Sequence, residues 1–216
     1  MQETVLVTGG AGYVGSHVVV SLAAAGCAPV VLDNFANSSP RVLGRLEEIA
    51  GIPIPVIEAD VRDHAALRAA FHDRPFTSVI HCAGLKAVGL SEERPLAYWD
   101  VNVGGTLALV EVMGEAGVAT LVFSSSATVY GQPDQLPVAE TAPLRPNSVY
   151  GRTKRSVEDF LRDLARSNAN WRIAILRYFN PAGAHPSAPT GEAPDRPLTP
   201  VPLPRPFAPA PASPLP

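Results

Sequence analysis

Tyr150 and Lys154 stand four residues apart in Tyr150-Gly-Arg-Thr-Lys154, within a stretch that reads as helix. At that spacing both side chains leave one helix face, so an ammonium can set the electrostatics around a phenol. A free phenol titrates near about pH 10, and a neighbouring cation lowers that value and lets the phenolate act as a base closer to neutrality. The pair alone is weak evidence of chemistry, because exposed helix faces carry such pairs by chance. Ser126 is the third residue of the run Ser124-Ser125-Ser126 and closes a short apolar stretch. Its hydroxyl suits a bridge between a reactant oxygen and Tyr150, although a capping or turn serine is the simpler reading. Thr128 is a second candidate for the bridge, while Ser124 and Ser125 fit capping or turn roles.

Something must hold these groups against a reactant, and the stretch T-V-L-V-T-G-G-A-G-Y-V-G, residues 4–15, supplies a frame. An apolar strand stops on glycines and restarts as helix. Gly10, Gly12 and Gly15 satisfy G-x-G-x-x-G, in which missing side chains permit the turn, close approach to a pyrophosphate, and packing of helix on strand. Backbone N–H groups at the helix start then face phosphate. Asp33 ends the next apolar run about twenty residues on, the spacing of a carboxylate that binds an adenosine ribose and favours NAD over NADP. A turn or cap aspartate before Asn34 is the alternative. With NAD in place, the positive nicotinamide ring adds to Lys154 in lowering the Tyr150 pKa.

The rest of the chain alternates strands and helices. Helices are expected over 13–25, closed by Gly26, over 40–51 with Ser39 as cap and Pro40 at the first helical position, over 63–70 with Asp63 as cap, over 95–115, and over 147–166. Strands are expected over 29–32, 54–57, 78–82, 120–123 and 171–176. This order predicts an α/β fold: a Rossmann-type doubly wound parallel sheet with helices on both faces and ligands beyond the carboxyl ends of its strands. The glycine loop, Asp33, Asp60, Lys86, Ser126 and Asn180 all follow strand ends.

The 216 residues carry a formal net charge of −3 with scattered Lys and Arg, which argues against a nucleic-acid surface. No apolar run approaches the roughly 18 residues needed to cross a membrane, and the start lacks a secretory leader pattern, so a cytoplasmic chain is expected. Cys27 and Cys82 show neither disulfide nor metal spacing and read as reduced core thiols. The five histidines lack metal spacing too, and no metal site is expected. From residue 186 proline recurs every two or three positions, and 194–216 is expected to be a disordered or polyproline II tail, with P-x-x-P segments at 197–200 and 206–209.

V-T-G-G-A-G-Y-V-G-S-H, L-D-N-F-A-N-S, H-C-A-G-L-K-A-V-G, F-S-S-S-A-T-V-Y-G, Y-G-R-T-K and L-R-Y-F-N-P-A-G-A-H-P-S together resemble the UDP-glucose 4-epimerases, extended short-chain dehydrogenases/reductases. The resemblance spans residues 3 to about 193, giving an NAD-binding domain over 1–193 and a tail over 194–216. Related 4,6-dehydratases carry an Asp-Glu pair where this chain has Ala127-Thr128, so dehydration lacks its acid and base.

The resemblance implies tightly bound NAD, reduced and reoxidised in each turnover, and a UDP-sugar substrate inverted at C4 through a 4-keto form. It implies that Tyr150 is the base, that Ser126 bonds the 4-oxygen, and that Lys154 also holds the nicotinamide ribose. By the same resemblance Gly9, Gly12, Tyr13, Val14 and Gly15 form the pyrophosphate loop. Asp33, Asn34, Asn37 and Ser38 form the adenosine-ribose segment, and Asp60 and Val61 contact adenine. Cys82, Ala83, Gly84, Lys86 and Asn102 match further cofactor contacts. Phe179 matches a nicotinamide-side position; Lys86, Thr128 and Asn180 join Ser126 and Tyr150 on the substrate side. Cys82 departs from an aromatic residue common in the family. A homodimer through helices near 95–115 and 147–166 is a further implication.

Family members continue past G-E-x-P into a smaller C-terminal domain that grips the uridine diphosphate. Here Asp195-Arg-Pro-Leu-Thr-Pro opens the proline tract, and the expectation is a truncated or frameshifted epimerase reading frame lacking that domain. Two rival readings stay open: an inactive NAD-binding remnant, and an epimerase or reductase for another nucleotide sugar.

Overall fold

The apolar run at the start of the chain becomes the centre of a sheet. In a computed structural model describing residues 2–185, β1 (Thr4–Thr8) pairs in parallel with β2 (Ala28–Asp33) on one side and β4 (Ser78–His81) on the other. β3 (Val56–Glu58) adds beyond β2, and β5 (Thr120–Ser126) then β6 (Arg172–Tyr178) add beyond β4. The order β3-β2-β1-β4-β5-β6 is the expected doubly wound parallel sheet, with its switch point between β1 and β4.

Period-two alternation sends consecutive side chains to opposite faces. Val5, Val7 and Val31 pack with Val19 and Val20 of α1 (Tyr13–Ala24) and Leu46 of α2 (Arg41–Ala50). Leu6, Leu32, Val79, Leu121 and Phe123 pack on the other face against α3 (His64–Asp73), α6 (Gly105–Glu115) and α7 (Val149–Ser167), through Leu67, Leu109, Met113 and Leu161. Each such leucine is fully buried, a contribution of about 1.5–3 kcal/mol relative to exposure. Caps follow the expected chemistry at three ends. Gly26 and Gly51 take positive φ after α1 and α2, and Asp63 accepts from the amides of Ala65 and Ala66.

Several boundaries differ from expectation. β5 runs on through Ser126 because its serines pair with Leu176, Arg177 and Tyr178 of a longer β6. The region expected as one helix over 95–115 comprises α5 (Pro95–Tyr98), a π-helical turn (Trp99–Gly104) and α6, preceded by α4 (Val88–Glu93). α2 starts just after Pro40, and α7 starts at Val149 with Ser148 as its cap. The expected tail and its boundary at 193 lie outside the described residues. Among the described residues, no helix is long and apolar enough to cross a membrane and no group of three or more metal-ligating side chains occurs.

Candidate active site at the carboxyl ends of the strands

The turn after β1 is tight for a specific reason. Gly9 has φ +68°, and a Cβ there would sit 2.6 Å from the amide nitrogen of Ala83, so the loops after β1 and β4 touch through bare backbone. A Cβ on Gly15 would run into the Gly9 carbonyl, whereas Gly10 is closed off by Val31 of β2 and serves packing. Gly9, Gly12, Tyr13, Val14 and Gly15 thus bring the amino end of α1 to the wall of a cleft of about 500 Å³. The backbone N–H groups of its first turn and the helix dipole favour an anion there.

One end of the cleft is built around Asp33. Its Oδ2 accepts from the Ala11 amide (3.0 Å), and its Oδ1 accepts from the Phe35 amide (2.9 Å) and the Ser38 hydroxyl (2.9 Å). A carboxylate has about four acceptor positions, so one on Oδ2 remains for a ligand hydroxyl. Asn34, Asn37, Ser38, Asp60 and Val61 share this wall. Asp60 accepts from Asn34 Nδ2 and, bidentately, from Arg62, whose other arm reaches Asp100. Arg62 holds the Asp60 carboxyl well below the usual carboxylate range. Arg62 and Asp100 escaped the sequence reading, since a charged pair so far apart in the chain leaves no local pattern.

The other end holds the proposed chemistry. Tyr150 and Lys154 leave one face of α7, and Lys154 Nζ lies 6.0 Å from the Tyr150 ring centre and 4.8 Å from that of Phe123. Nζ donates to the Ser124 carbonyl at 2.8 Å. Burial pulls the Lys154 ammonium down to about 8. Burial also raises the Tyr150 phenol, while the neighbouring Ser126 hydroxyl pulls the other way. The expected lowering by Lys154 therefore does not outweigh burial in the protein alone. Nor do the serines divide as expected. Ser126 itself caps the 3-10 turn Ala127–Tyr130 by accepting from the Thr128 amide and hydroxyl, whereas the Ser125 hydroxyl is buried against Glu158.

Cys82, Ala83, Gly84, Lys86, Phe179 and Asn180 line the same cleft, with Phe179 66% exposed. Burial raises the Cys82 thiol to about 11, an unreactive thiol beside Lys154. Asn102 is the exception among the expected contacts. It is buried behind the cleft wall, bonded to both backbone groups of Leu85 and to Thr153 Oγ1. His81 bridges Thr8 and Thr106, and burial drives its pKa to about 3. The start of α7 is fixed by groups the sequence reading missed: Glu92 accepts the Val149 amide and Ser91 the Tyr150 amide. Capping from another helix carries no signal in chain order.

This geometry agrees with comparison to known proteins. Residues 5–199 match the model of the NAD dependent epimerase/dehydratase family. The chain belongs to that family. Curated relatives of this epimerase/dehydratase chain include the UDP-glucose 4-epimerase of Mus musculus, 50% identical, of which the match covers 89% of this chain and 57% of the relative. The UDP-glucose 4-epimerase of Yersinia pestis is 51% identical over 88% of this chain and 56% of its own length. Among solved structures, the UDP-glucose 4-epimerase of Bifidobacterium longum in complex with NAD+ and UDP superposes with TM-score 0.88 at 44% identity, covering 91% of this chain and 59% of that one. The Stenotrophomonas maltophila enzyme, with bound NAD and formylated UDP-arabinopyranose, gives 0.87 at 48%, covering 89% and 57%. The chain spans a little over half the length of the relatives it matches.

Proposed function

We propose that this chain holds NAD in the cleft and carries the catalytic groups of a UDP-glucose 4-epimerase, interconverting UDP-galactose and UDP-glucose. The observation that supports this best is the gathering of Tyr150, Ser126 and buried Lys154 at one end of a cleft whose other end is Asp33. The residues fit the cofactor: Asp33 keeps one acceptor for the adenosine ribose, the start of α1 faces the pyrophosphate, and no side chain at Gly9 or Gly12 obstructs it. Asp60 and Val61 would flank adenine, and Lys154 and Phe179 the nicotinamide ribose and ring.

Bound NAD supplies a reversible hydride acceptor. Tyr150 would take the proton of the sugar 4-hydroxyl and, once C4 has been turned over, give it back to the 4-oxygen, while Ser126 donates to that oxygen and keeps it aligned with the phenol. The positive charges of Lys154 and the oxidised ring offset the burial that raises the phenol in the protein alone. Lys86, Thr128 and Asn180 would position the sugar. Free Cys27 and Cys82 fit a cytoplasmic setting. Exposed Leu96 on α5, Trp99 in the π-helical turn and Leu107 on α6 fit a homodimer, which light scattering tests.

The experiment is release of nucleotide from the purified chain for identification, followed by a UDP-galactose to UDP-glucose assay with the wild type and Tyr150→Phe. NAD in the chain and turnover lost in Tyr150→Phe support the reading. NAD without turnover would make this a nucleotide-binding remnant. Turnover only with another nucleotide sugar would correct the substrate, and no NAD at all would overturn the proposal.

A further inference from the structure

Glu158 is a carboxylate with no solvent exposure, one helical turn beyond Lys154 and two beyond Tyr150. Burying a charge is costly unless it is paired and hydrogen-bonded, and this one is saturated. Its Oε1 accepts from Ser125 Oγ at 2.6 Å and Arg177 Nε at 3.0 Å, and its Oε2 accepts from Arg177 Nη2 and Arg162 Nη2, each at 2.7 Å. Arg177 also donates to Tyr130 Oη at 2.8 Å and to the Glu140 carbonyl at 3.1 Å, with its guanidinium over the Tyr130 ring. Burial works to raise the Glu158 carboxyl, but the bonds from Arg177 and Ser125 outweigh it and hold the group ionised.

The consequence lies in what these partners belong to. Three consecutive residues of β5 meet one face of α7: Ser126 shares the end of the cleft with Tyr150, the Ser124 carbonyl accepts from Lys154, and Ser125 bonds Glu158. The first two form the reacting end, where Lys154 makes a single hydrogen bond to the strand. Only the third is anchored by several charged bonds, which also tie in β6, since Arg177 pairs with Ser125 across the β5–β6 ladder.

We propose that Glu158 is a positioning residue that fixes the register of α7 against β5 and thereby sets the place of the Tyr150 phenol beside Ser126 at the end of the cleft. It touches neither the cleft nor any ligand placed there. This inference rests on Tyr150 and Ser126 being the reacting pair, but its test needs no turnover.

The test is ultraviolet difference titration of the full chain, wild type minus Tyr150→Phe, which isolates ionisation of the Tyr150 phenol. The groups facing that phenol are Lys154 of α7, Ser126 of β5 and Tyr98 of α5, its ring 6.5 Å away, and none of them is substituted in any variant. Glu158→Gln replaces an acceptor oxygen with a donor facing two arginines; loss of the buried negative charge alone would lower the Tyr150 titration, so an upward move of about half a unit or more is the expected mark of a phenol carried away from Ser126 by a shifted α7. Ser125→Ala removes one bond and no charge, so a smaller upward shift is expected, and it decides the matter if Glu158→Gln does not fold. Ile54→Val, in the core on the opposite face of the sheet, is expected to lower stability without moving the titration. A Tyr150 titration unchanged in folded Glu158→Gln, or in Ser125→Ala, overturns the proposal. So does an equal shift in Ile54→Val, which would make the effect one of stability alone.

Discussion

Asn102 clamps Leu85 at both of its backbone groups: Oδ1 accepts the Leu85 amide at 2.8 Å, and Nδ2 donates to the Leu85 carbonyl at 3.0 Å. The same amide group donates to Thr153 Oγ1 on α7 at 3.1 Å. One side chain in the π-helical turn thus ties the loop after β4, which carries Cys82 to Lys86, to the helix carrying Tyr150. Asn102→Ala leaves several buried groups without partners. It is expected to cost about 2–4 kcal/mol in urea unfolding and to weaken NAD binding about tenfold or more by calorimetry. Lowered stability with unaltered NAD affinity would show that the loop is held by other means.

Lys154 makes stability depend on pH with a defined sign. Burial brings its ammonium down to about 8 in the folded chain from an ordinary value of 10.5. Below that window it is charged in both states, and folding bears the cost of burying it. Between pH 8 and 10.5 the unfolded chain binds the proton that the folded chain has released, so stability from this group rises with pH. Lys154→Met removes the effect. Its stability relative to wild type is expected to fall by on the order of 2–3 kcal/mol from pH 7 to pH 10.5. Urea unfolding of both proteins across that range measures it, and a constant difference contradicts the assigned burial.

Asp60 has the opposite sign. Its carboxyl is held low by Arg62, so the stability it contributes is complete above about pH 4 and declines as pH falls below that value. Asp60→Asn is expected to be about 1 kcal/mol less stable than wild type at pH 6, with the gap narrowing in acid. Parallel acid titrations monitored by circular dichroism supply the check; a gap that persists undiminished into strong acid rules the mechanism out.

Glycine substitutions separate close approach from ordinary helix cost. Gly15→Ala places a methyl group against the Gly9 carbonyl and is expected to abolish NAD binding and lower the melting temperature. Gly44→Ala, in α2 with nothing within 4 Å of its added Cβ, is expected to gain about 0.5–1 kcal/mol and leave NAD binding unchanged. Calorimetric melting with and without NAD distinguishes the two.

The strand order and most of the cleft were legible because short apolar runs alternate with glycine loops and because Asp33 ends a strand at a readable distance from Gly15. What stayed hidden depends on partners from other elements. The serine run reads as loop by composition, yet pairing with β6 carries it to the end of β5. A π-helical turn keeps a helical pattern of side chains, so the break near Asn102 leaves little trace. Glu158 lies among Arg155, Asp159, Arg162 and Asp163, which makes a fully buried carboxylate look like one more solvated charge.

The position of β1 between β2 and β4 bears on how the chain is made. A ribosome releases β1, β2 and β3 first, and these can pair as neighbours while the remainder is still being synthesised. The second half of the sheet has no edge to grow from except β1, whose partner β4 arrives about 70 residues later, roughly 4–15 s at ordinary elongation rates. Until then the β1 edge and its Thr8 hydroxyl, which later bonds His81, stay open. That interval is when a nascent chain is most open to chaperone capture or to pairing with the wrong strand.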